Sequence, residues 1–323
     1  MTRFEVPREP VVIAKNPIGR VRQPRPAPAR RDDPAGASRT RRPKTQHSAL
    51  STQQPEAVHR FDNASKSVLH IAVVGCGGNG SQMLTRLARL DYAMRALGKV
   101  SLDVTAFDPD TVSRSNIGRQ LFSPADLGQF KCEVLVNRVN AYYGLSWSAV
   151  PERYHGGISS FLGGGYKTSA DVLVSCVDTA KARRGLNAEF DDLIAAPVYW
   201  LDLGNGKSTG QVILGQPERN WRRGVGTTGS GVPQQRLRTV IELFPELLNP
   251  KFKEDAAPSC SMQQALDKQS LFVNDTVVTW AAHLLSELLI AGEIRHCGYF
   301  INLQTGKVNP IPVPDRAVSR ETP

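Results

Sequence analysis

A run of glycines directly follows a short apolar segment and could hold a phosphate group. Ile71 to Val74 are small or β-branched apolar residues, which predicts a buried strand. The next residues fit the spacing G-x-G-x-x-G, with Gly75, Gly77 and Gly80 at the glycine positions. Such glycines allow a tight turn, a close approach of backbone to phosphate, and close packing of the next helix. The segment predicts a phosphate-binding turn, and the alternative is a glycine turn without a ligand.

An acidic residue at the end of a second predicted strand could bind the sugar of a nucleotide. Residues 102–107 are mostly apolar and are followed by Asp108. A carboxylate in this place accepts hydrogen bonds from ribose hydroxyls, although Asp-Pro-Asp is also a common turn sequence. The helix predicted over residues 81–96 directs its N-terminal N–H groups and its dipole toward the glycines, which favours an anion. Together these features predict a ribonucleotide site.

Four further polar side chains could act on the phosphates of that nucleotide. Arg119 offers a planar fork of donors, Asn116 can donate to another oxygen, and Lys131 is a point charge at the start of a predicted helix. Asp178 follows a predicted strand, and ligands bind at the carboxyl ends of parallel strands, where its carboxylate could hold Mg²⁺. Taken singly, such residues are more often surface charges or helix caps. Their combination indicates chemistry on phosphate.

The order of these motifs resembles the ThiF-like adenylating family. The shared motifs are G-x-G-G-x-G, D-x-D-x-V-x-x-S-N-x-x-R-Q, a Lys about a dozen residues on, and C-x-D-x-x-x-x-R, within roughly residues 66–215. That family includes the sulfur-carrier adenylyltransferases of thiamin and molybdopterin synthesis and the ubiquitin-activating enzymes. The segments VPERY at 150–154, YWLDLGN at 199–205 and PSCS at 258–261 also resemble ThiF-family proteins of plasmid-associated PRTRC gene clusters.

The resemblance implies a reaction in which the C-terminal carboxylate of a protein attacks the α-phosphorus of ATP, with Mg²⁺ as cofactor. The products are an acyl adenylate and pyrophosphate. A carboxylate is already a nucleophile, so catalysis reduces to positioning and to neutralisation of charge. The resemblance implies that nucleotide is bound by Gly75, Gly77, Gly78, Gly80, Asp108, Asp110 and Gln120. It implies that phosphate and metal chemistry falls to Asn116, Arg119, Lys131 and Asp178, the last also as metal ligand.

One of the five cysteines could have a further chemical role. Cys260 precedes a predicted helix, whose N–H groups would favour the thiolate, and some family members transfer the acyl group to a cysteine in this region. Cys260 is therefore a candidate thioester nucleophile, and the alternative is a buried packing residue. Cys76 and Cys176 are predicted to be packing residues. Because the chain has no C-x-x-C pair, we expect no structural zinc.

The resemblance also implies partners. The substrate would be a small ubiquitin-like or sulfur-carrier protein, a conjugating-enzyme-like protein would act downstream, and the protein would form a homodimer. Arg60 is a candidate for the arginine that family members insert into the ATP site of the partner subunit. Two other functions stay open. An NAD-dependent oxidoreductase would use the glycine turn and Asp108, and a catalytically inactive nucleotide-binding scaffold would need no reacting carboxylate.

The pattern of elements predicts an α/β fold. The family implies a Rossmann-like mixed sheet with helices on both faces, a parallel N-terminal part and antiparallel C-terminal strands. Further strands are predicted at 172–177, 198–203 and 211–214, with a hairpin of 299–303 and 308–313. Further helices are predicted at 131–143, from 178 to about 194, near 240–247, and after Gln269.

Composition divides the chain into an extension and a domain. Residues 1–60 hold thirteen of the Lys and Arg residues, nine Pro and only five acidic residues, whereas the whole chain has a net charge of +10. We therefore predict a disordered basic extension over 1–65, an adenylating domain over 66–314 and a tail over 315–323. The extension could contact nucleic acid weakly or could be simply solvated. No membrane contact is expected, because polar residues interrupt the apolar segment 269–291, and a cytoplasmic location is expected.

Overall fold

The computed structural model describes residues 57–61, 66–156, 158–159, 167–168, 170–190, 196–222, 235–252 and 270–314. The strands are β1 His59–Arg60, β2 Val68–Val74, β3 Ser101–Phe107, β4 Ser148–Val150, β5 Ile158–Ser159, β6 Lys167–Thr168, β7 Val172–Ser175, β8 Tyr199–Asn205, β9 Thr209–Gly215, β10 Glu293–Ile294, β11 His296–Asn302 and β12 Lys307–Pro312. The helices are α1 Gly78–Ala96, α2 Lys131–Tyr143, α3 Ala180–Glu189, α4 Glu218–Arg222, α5 Val240–Leu243 and α6 Val273–Ser286. Turns of 3₁₀ helix cover Arg114–Asn116, Pro124–Asp126 and Pro245–Leu248, and a π-helical turn at Glu287–Ala291 extends α6.

Eight strands form one mixed sheet, in the order β12-β11-β9-β8-β7-β2-β3-β4. The pairs β8–β7, β7–β2, β2–β3 and β3–β4 are parallel, whereas β8–β9, β9–β11 and β11–β12 are antiparallel. The sheet thus has a parallel N-terminal part and antiparallel C-terminal strands, which confirms the predicted fold class. The strand β12 is an edge strand, and this position accommodates Pro310 and Pro312, which cannot donate to a ladder.

Helices cover both faces of the sheet because the central strands are apolar on both sides. In β2, Ile71 and Val73 are fully buried in the core cluster that includes α1, α2 and α6. The alternate residues Ala72 and Val74 belong to the second cluster, which includes α3 and α5. Near-continuous apolar residues of this kind are typical of parallel strands buried on both faces. Among the described residues, none of the helices is both long and apolar enough to cross a membrane.

The first described residues pack against the sheet. His59 and Arg60 form β1, which pairs with β10 although it lies within the predicted extension 1–65. His59 is buried, and its Nε2 lies 2.7 Å from the hydroxyl of Tyr199. Arg60 lies 3.3 Å from the carboxylate of Glu293, and both side chains are largely exposed. Residues 1–56, 62–65 and 315–323 lie outside the described part of the chain.

Candidate active site

The predicted glycine turn lies at the carboxyl end of β2, where three segments of backbone meet closely. Gly75 has φ = +91°, a left-handed conformation that favours glycine. A Cβ atom at Gly75 would lie 3.0 Å from the carbonyl oxygen of Cys176, just beyond β7. A Cβ atom at Gly80 would lie only 1.8 Å from the carbonyl oxygen of Gly75, so α1 packs directly on the turn. These contacts match the roles that the sequence predicts for the first and third glycines.

The carboxylate of Asp108 is fixed beside this turn. Its Oδ2 accepts a hydrogen bond of 2.5 Å from the backbone N–H of Cys76, and its Oδ1 accepts one of 2.8 Å from Asp110. Burial raises the pKa of the Asp108 carboxyl, while both backbone hydrogen bonds and the charge of Lys131 oppose that rise. Each carboxylate oxygen can accept more than one hydrogen bond. Asp108 is therefore held where a ribose hydroxyl could reach it from a nucleotide lying on the turn.

Lys131 brings a positive charge close to Asp110, which follows the end of β3. It is the first residue of α2, and its side chain is only about 10% exposed. Its Nζ donates a hydrogen bond of 2.9 Å to the carboxylate of Asp110, and its backbone N–H donates to the carbonyl oxygen of Asp110. Since Asp110 is itself largely exposed, the ion pair lies at the border between protein and solvent.

Asn116 closes the 3₁₀ turn that precedes Arg119. Its Oδ1 accepts hydrogen bonds from the backbone N–H and the hydroxyl of Ser113, at 2.8 and 3.0 Å. The side chain is buried, so these contacts fix its orientation. Its oxygen is used within the turn, which leaves the Nδ2 group as the part of Asn116 that would donate to a ligand. Arg119 is half-buried, and burial lowers the pKa of its guanidinium, a shift that an anion beside it would oppose.

Gln120 connects this segment to the glycine turn. Its Nε2 lies 3.9 Å from the position that a Cβ atom of Gly77 would take, and the next backbone N–H, of Leu121, points at the hydroxyl of Ser81 in α1. The Oε1 atom of Gln120 is buried and has no hydrogen-bond partner in the described part of the chain. A buried polar atom without a partner is costly. This atom could accept a hydrogen bond from a donor group of a ligand on the turn.

Asp178 stands at the end of β7, next to the turn. The backbone N–H of Cys176 donates to the carbonyl oxygen of Val74, which ties the two strand ends together. Asp178 is exposed and precedes Thr179, whose hydroxyl caps α3. Across the described ranges, His, Cys, Asp and Glu form no group of three or more that could hold a metal ion. Mg²⁺ is commonly bound through one or two carboxylates together with phosphate oxygens, and Asp178 fits that role.

Arg183, which belongs to the motif C-x-D-x-x-x-x-R, has a structural partner. Its Nε lies 2.9 and 3.1 Å from the two carboxylate oxygens of Asp202, and both residues are buried. Asp202 also accepts a hydrogen bond of 2.6 Å from the hydroxyl of Ser175. This pair joins α3 to β8 and β7 beneath the site. Asp202 was not expected from the sequence, because it lies 19 positions from Arg183 in a strand that otherwise reads as apolar.

The structure also brings together three amide side chains that the sequence analysis did not connect. Asn79 lies within the glycine turn, Asn205 ends β8, and Asn274 lies in the first turn of α6. A Cβ atom at Gly78 would lie 2.6 Å from Nδ2 of Asn274, so α6 reaches the turn itself. In the sequence, the only local sign of this group of amides was the position of Asn79 inside the glycine motif.

The described cysteines next to the site are packing residues. Cys76 is fully buried and Cys176 nearly so, and burial raises the pKa of both thiols, which disfavours the thiolate. Both therefore agree with the prediction made for them. Cys260, the candidate nucleophile, lies outside the described residues.

A separate cavity of about 700 Å³ lies at the opposite, amino-terminal edge of the parallel strands. Each of three basic side chains in its wall already pairs with an aspartate: Lys66 with Asp171, His70 with Asp103, and Arg95 with Asp91. Ligands of open α/β sheets bind at the carboxyl ends of the strands. We therefore place the candidate active site at the glycine turn and not in this cavity.

The chain was also compared with known proteins. Residues 57–214 match the model of the ThiF family. The ubiquitin-like modifier-activating enzyme 5 of Oryza sativa subsp. japonica is 30% identical over 136 residues, which cover 38% of this chain and 30% of that protein. The adenylyltransferase and sulfurtransferase UBA4 of Candida albicans is 30% identical over 118 residues, or 36% of this chain and 24% of that protein. The chain thus spans less than a third of the length of these relatives.

Solved structures were compared as well. The E. coli protein MccB, crystallised with ATP, is 17% identical with a TM-score of 0.46, covering 77% of this chain and 64% of that one. PaaA is 14% identical with a TM-score of 0.46, covering 77% of this chain and 65% of that one. The sequence comparisons thus show that residues 57–214 match the ThiF family model and that part of the chain is similar to a ubiquitin-like modifier-activating enzyme.

Proposed function

We propose that this protein uses ATP to adenylate the C-terminal carboxylate of a small ubiquitin-like or sulfur-carrier protein. One observation carries the proposal: the ends of β2, β3 and β7 bring the glycine turn, Asp108 and Asp178 to one edge of the sheet. The side chain of Gln120, next to Arg119 in the sequence, reaches that edge, with its Nε2 3.9 Å from the Cβ position of Gly77. Dinucleotide binding alone would account for the turn and Asp108, but not for this additional set of phosphate-directed groups.

Each group would have a defined task. Asp108 would accept hydrogen bonds from the ribose, and the glycine turn would hold the phosphates at the N-terminus of α1. Arg119 and Lys131 would neutralise charge on the phosphates, and Lys131 would exchange Asp110 for a phosphate oxygen. The attacking carboxylate forms a bond to the α-phosphorus while the bond from that phosphorus to the bridging oxygen breaks, so that pyrophosphate leaves. When bound, Mg²⁺ would neutralise pyrophosphate charge, with Asp178 as its protein ligand.

The family relationship supports the finer parts of the proposal. The resemblance to ThiF-family proteins of PRTRC gene clusters favours a ubiquitin-like substrate over a sulfur carrier. We infer that the acyl group then passes from AMP to Cys260 as a thioester and onward to a conjugating-enzyme-like protein. A homodimer in which Arg60 approaches the site of the partner subunit is the assembly that the family relationship favours.

Pyrophosphate exchange tests the reaction directly. The protein is incubated with ATP, Mg²⁺, labelled pyrophosphate and a small ubiquitin-like protein that ends in glycine, and the label entering ATP is counted. Arg119→Ala and Asp178→Ala should each slow exchange by about 10²-fold or more, the usual effect of removing one group that stabilises transition-state charge. Arg114→Ala, in the neighbouring 3₁₀ turn, and Asp103→Ala, at the other edge of the sheet, are the matched controls.

The same reactions test the later step. Cys260→Ala should retain exchange but lose a protein adduct that reducing agent releases, because only the thioester requires the thiol. If this variant forms the adduct normally, Cys260 is not the nucleophile. If Arg114→Ala and Arg119→Ala slow exchange equally, the assignment of Arg119 is wrong. Hydride transfer with NAD in place of exchange would establish the oxidoreductase alternative.

A further inference from the structure

Three asparagines form a hydrogen-bonded chain from the glycine turn to α6. The Nδ2 of Asn79 donates to Oδ1 of Asn205 at 3.1 Å, and the Nδ2 of Asn205 donates to Oδ1 of Asn274 at 3.0 Å. The two outer members are 5% and 3% exposed, whereas Asn205 between them is exposed. The chain therefore ties three separate elements, α1, β8 and α6, to the carboxyl edge of the sheet.

One end of this chain is incomplete. The Oδ1 atom of Asn79 is buried and has no hydrogen-bond partner in the described part of the chain. A buried unpaired amide atom costs stability, so its presence inside a ligand-binding turn calls for a function. An acceptor in this position would also repel a phosphate oxygen. With its Nδ2 bound to Asn205, Asn79 has no free donor for an anion in the observed arrangement.

Because every member is an amide, the whole chain can run in either direction. Rotating all three side-chain amides by half a turn exchanges each oxygen with its nitrogen. Asn274 then donates to Asn205, Asn205 donates to Asn79, and the Nδ2 of Asn79 becomes the unpaired end. Both hydrogen bonds survive the reversal. The reversal changes the free atom at both ends of the chain: Asn79 exchanges an acceptor for a donor, and Asn274 exchanges a donor for an acceptor.

We propose that Asn79 is an additional phosphate-binding residue, and that nucleotide binding reverses the asparagine chain so that its Nδ2 donates to a phosphate oxygen. This inference rests on the proposed function, because it needs a nucleotide on the turn. Asn205 and Asn274 act as positioning residues, since they touch Asn79 and hold its amide in one of two orientations. A donor to a charged oxygen satisfies the end of the chain that is unpaired without ligand.

The first test compares two ligands on the wild-type protein and on Asn79→Ala. Dissociation constants for ATP and for adenosine are measured by calorimetry, together with the thermal midpoint of each protein without ligand. Loss of one hydrogen bond to a charged group should weaken ATP binding by about ten- to a hundredfold. Adenosine has no phosphate, so its affinity should change by less than about twofold. A purely structural role of Asn79 would weaken both ligands together.

The second test fixes the direction of the chain through the exposed member. Asn205→Asp offers only acceptors, so it holds the Nδ2 of Asn79 and keeps the donor away from phosphate. Asn205→Ala removes that restraint and should weaken ATP binding at least fivefold less than Asn205→Asp does. The ratio of the two dissociation constants is measured at low and at 0.5 M salt. A simple charge effect of the new aspartate would fade with salt, whereas the fixed amide orientation would not.

The outcomes separate this inference from the proposed function. Wild-type protein that binds ATP, with Asn79→Ala binding it equally well, overturns the role of Asn79 and leaves the proposed function standing. Equal losses of ATP and adenosine overturn it too, as does a ratio between the Asn205 variants that disappears at 0.5 M salt. Wild-type protein that fails to bind ATP overturns both. A loss confined to ATP, with the ratio kept at high salt, supports the reversal.

Discussion

At the glycine turn, the positive charge of Lys131 is paired with a carboxylate that lies near the solvent. Lys131 is neutralised by Asp110, whose own exposure makes the pair easy to separate. Two backbone hydrogen bonds to Asp108 oppose the rise in pKa that burial causes in its carboxyl. On the proposed function, an incoming phosphate would replace Asp110 as the partner of Lys131. This exchange is how individual residues would couple nucleotide binding to the geometry of the site.

A second residue-scale feature lies away from the site, in the buried contact between His59 and Tyr199. Burial lowers the pKa of the His59 imidazole to about 4, compared with 6.5 in the unfolded chain. The folded protein therefore holds His59 neutral at pH values where the unfolded chain binds a proton. Protonation thus favours the unfolded state as the pH falls below 6.5, and the penalty is complete near pH 4.

We predict a loss of stability that depends on this single histidine. Between pH 7 and pH 4, His59 should lower the free energy of unfolding by about 3 kcal/mol, from a pKa difference of roughly 2.5 units. Urea unfolding of wild type and His59→Gln across this range measures the effect, because the glutamine does not titrate. Parallel curves for wild type and His59→Gln would refute the prediction.

At the scale of elements, the site depends on how closely α1 approaches the end of β2. The helix begins at Gly78, inside the glycine motif, and the backbone of Gly80 lies against the carbonyl oxygen of Gly75. The approach directs the first N–H groups of α1 toward the space over the turn, which is the arrangement that binds anions. A side chain at position 80 would push the helix away from that space.

We predict that Gly80→Ala destabilises the protein and weakens nucleotide binding together. The added methyl would overlap backbone, which cannot move aside as a side chain can, so the cost should be about 1–3 kcal/mol. Gly185→Ala in α3 is the matched control, because nothing lies within 4 Å of its added methyl. In a helix interior that change should stabilise by up to about 1 kcal/mol. Urea unfolding and ATP titration of both variants measure the difference, and an unaffected Gly80→Ala would contradict it.

Elements with strong local patterns were predictable, and contacts between distant residues were not. The strand 102–107 and the helix 131–143 agree with β3 and α2 almost to the residue, because apolar periodicity and the Gly144 C-cap define them locally. The helix predicted over 81–96 begins three residues earlier, since glycines carry no helix signal. The asparagine chain joins positions 126 and 69 residues apart, and nothing in a local pattern reports that distance.

At the scale of the whole molecule, the two parts of the sheet contribute different residues to the candidate site. The parallel strands supply the turn, Asp108 and Asp178, which is why their order along the chain already indicated a nucleotide site. Asn205 at the end of β8 and Asn274 in α6 are hydrogen-bonded to each other, and Asn205 also accepts a hydrogen bond from Asn79 in the turn. The basic extension over 1–65 stays a prediction, as do dimer formation and contact with nucleic acid.

The central claim is that this edge of the sheet binds ATP with its α-phosphorus open to a carboxylate. A crystal structure with a non-hydrolysable ATP analogue and Mg²⁺ tests it most directly. The account predicts the ribose on Asp108, the triphosphate across Gly75 to Gly80, and phosphate oxygens within hydrogen-bonding distance of Arg119 and Lys131. A glycine turn that stays empty at saturating analogue, or that accepts NAD with its nicotinamide ring beside Asp178, would contradict it.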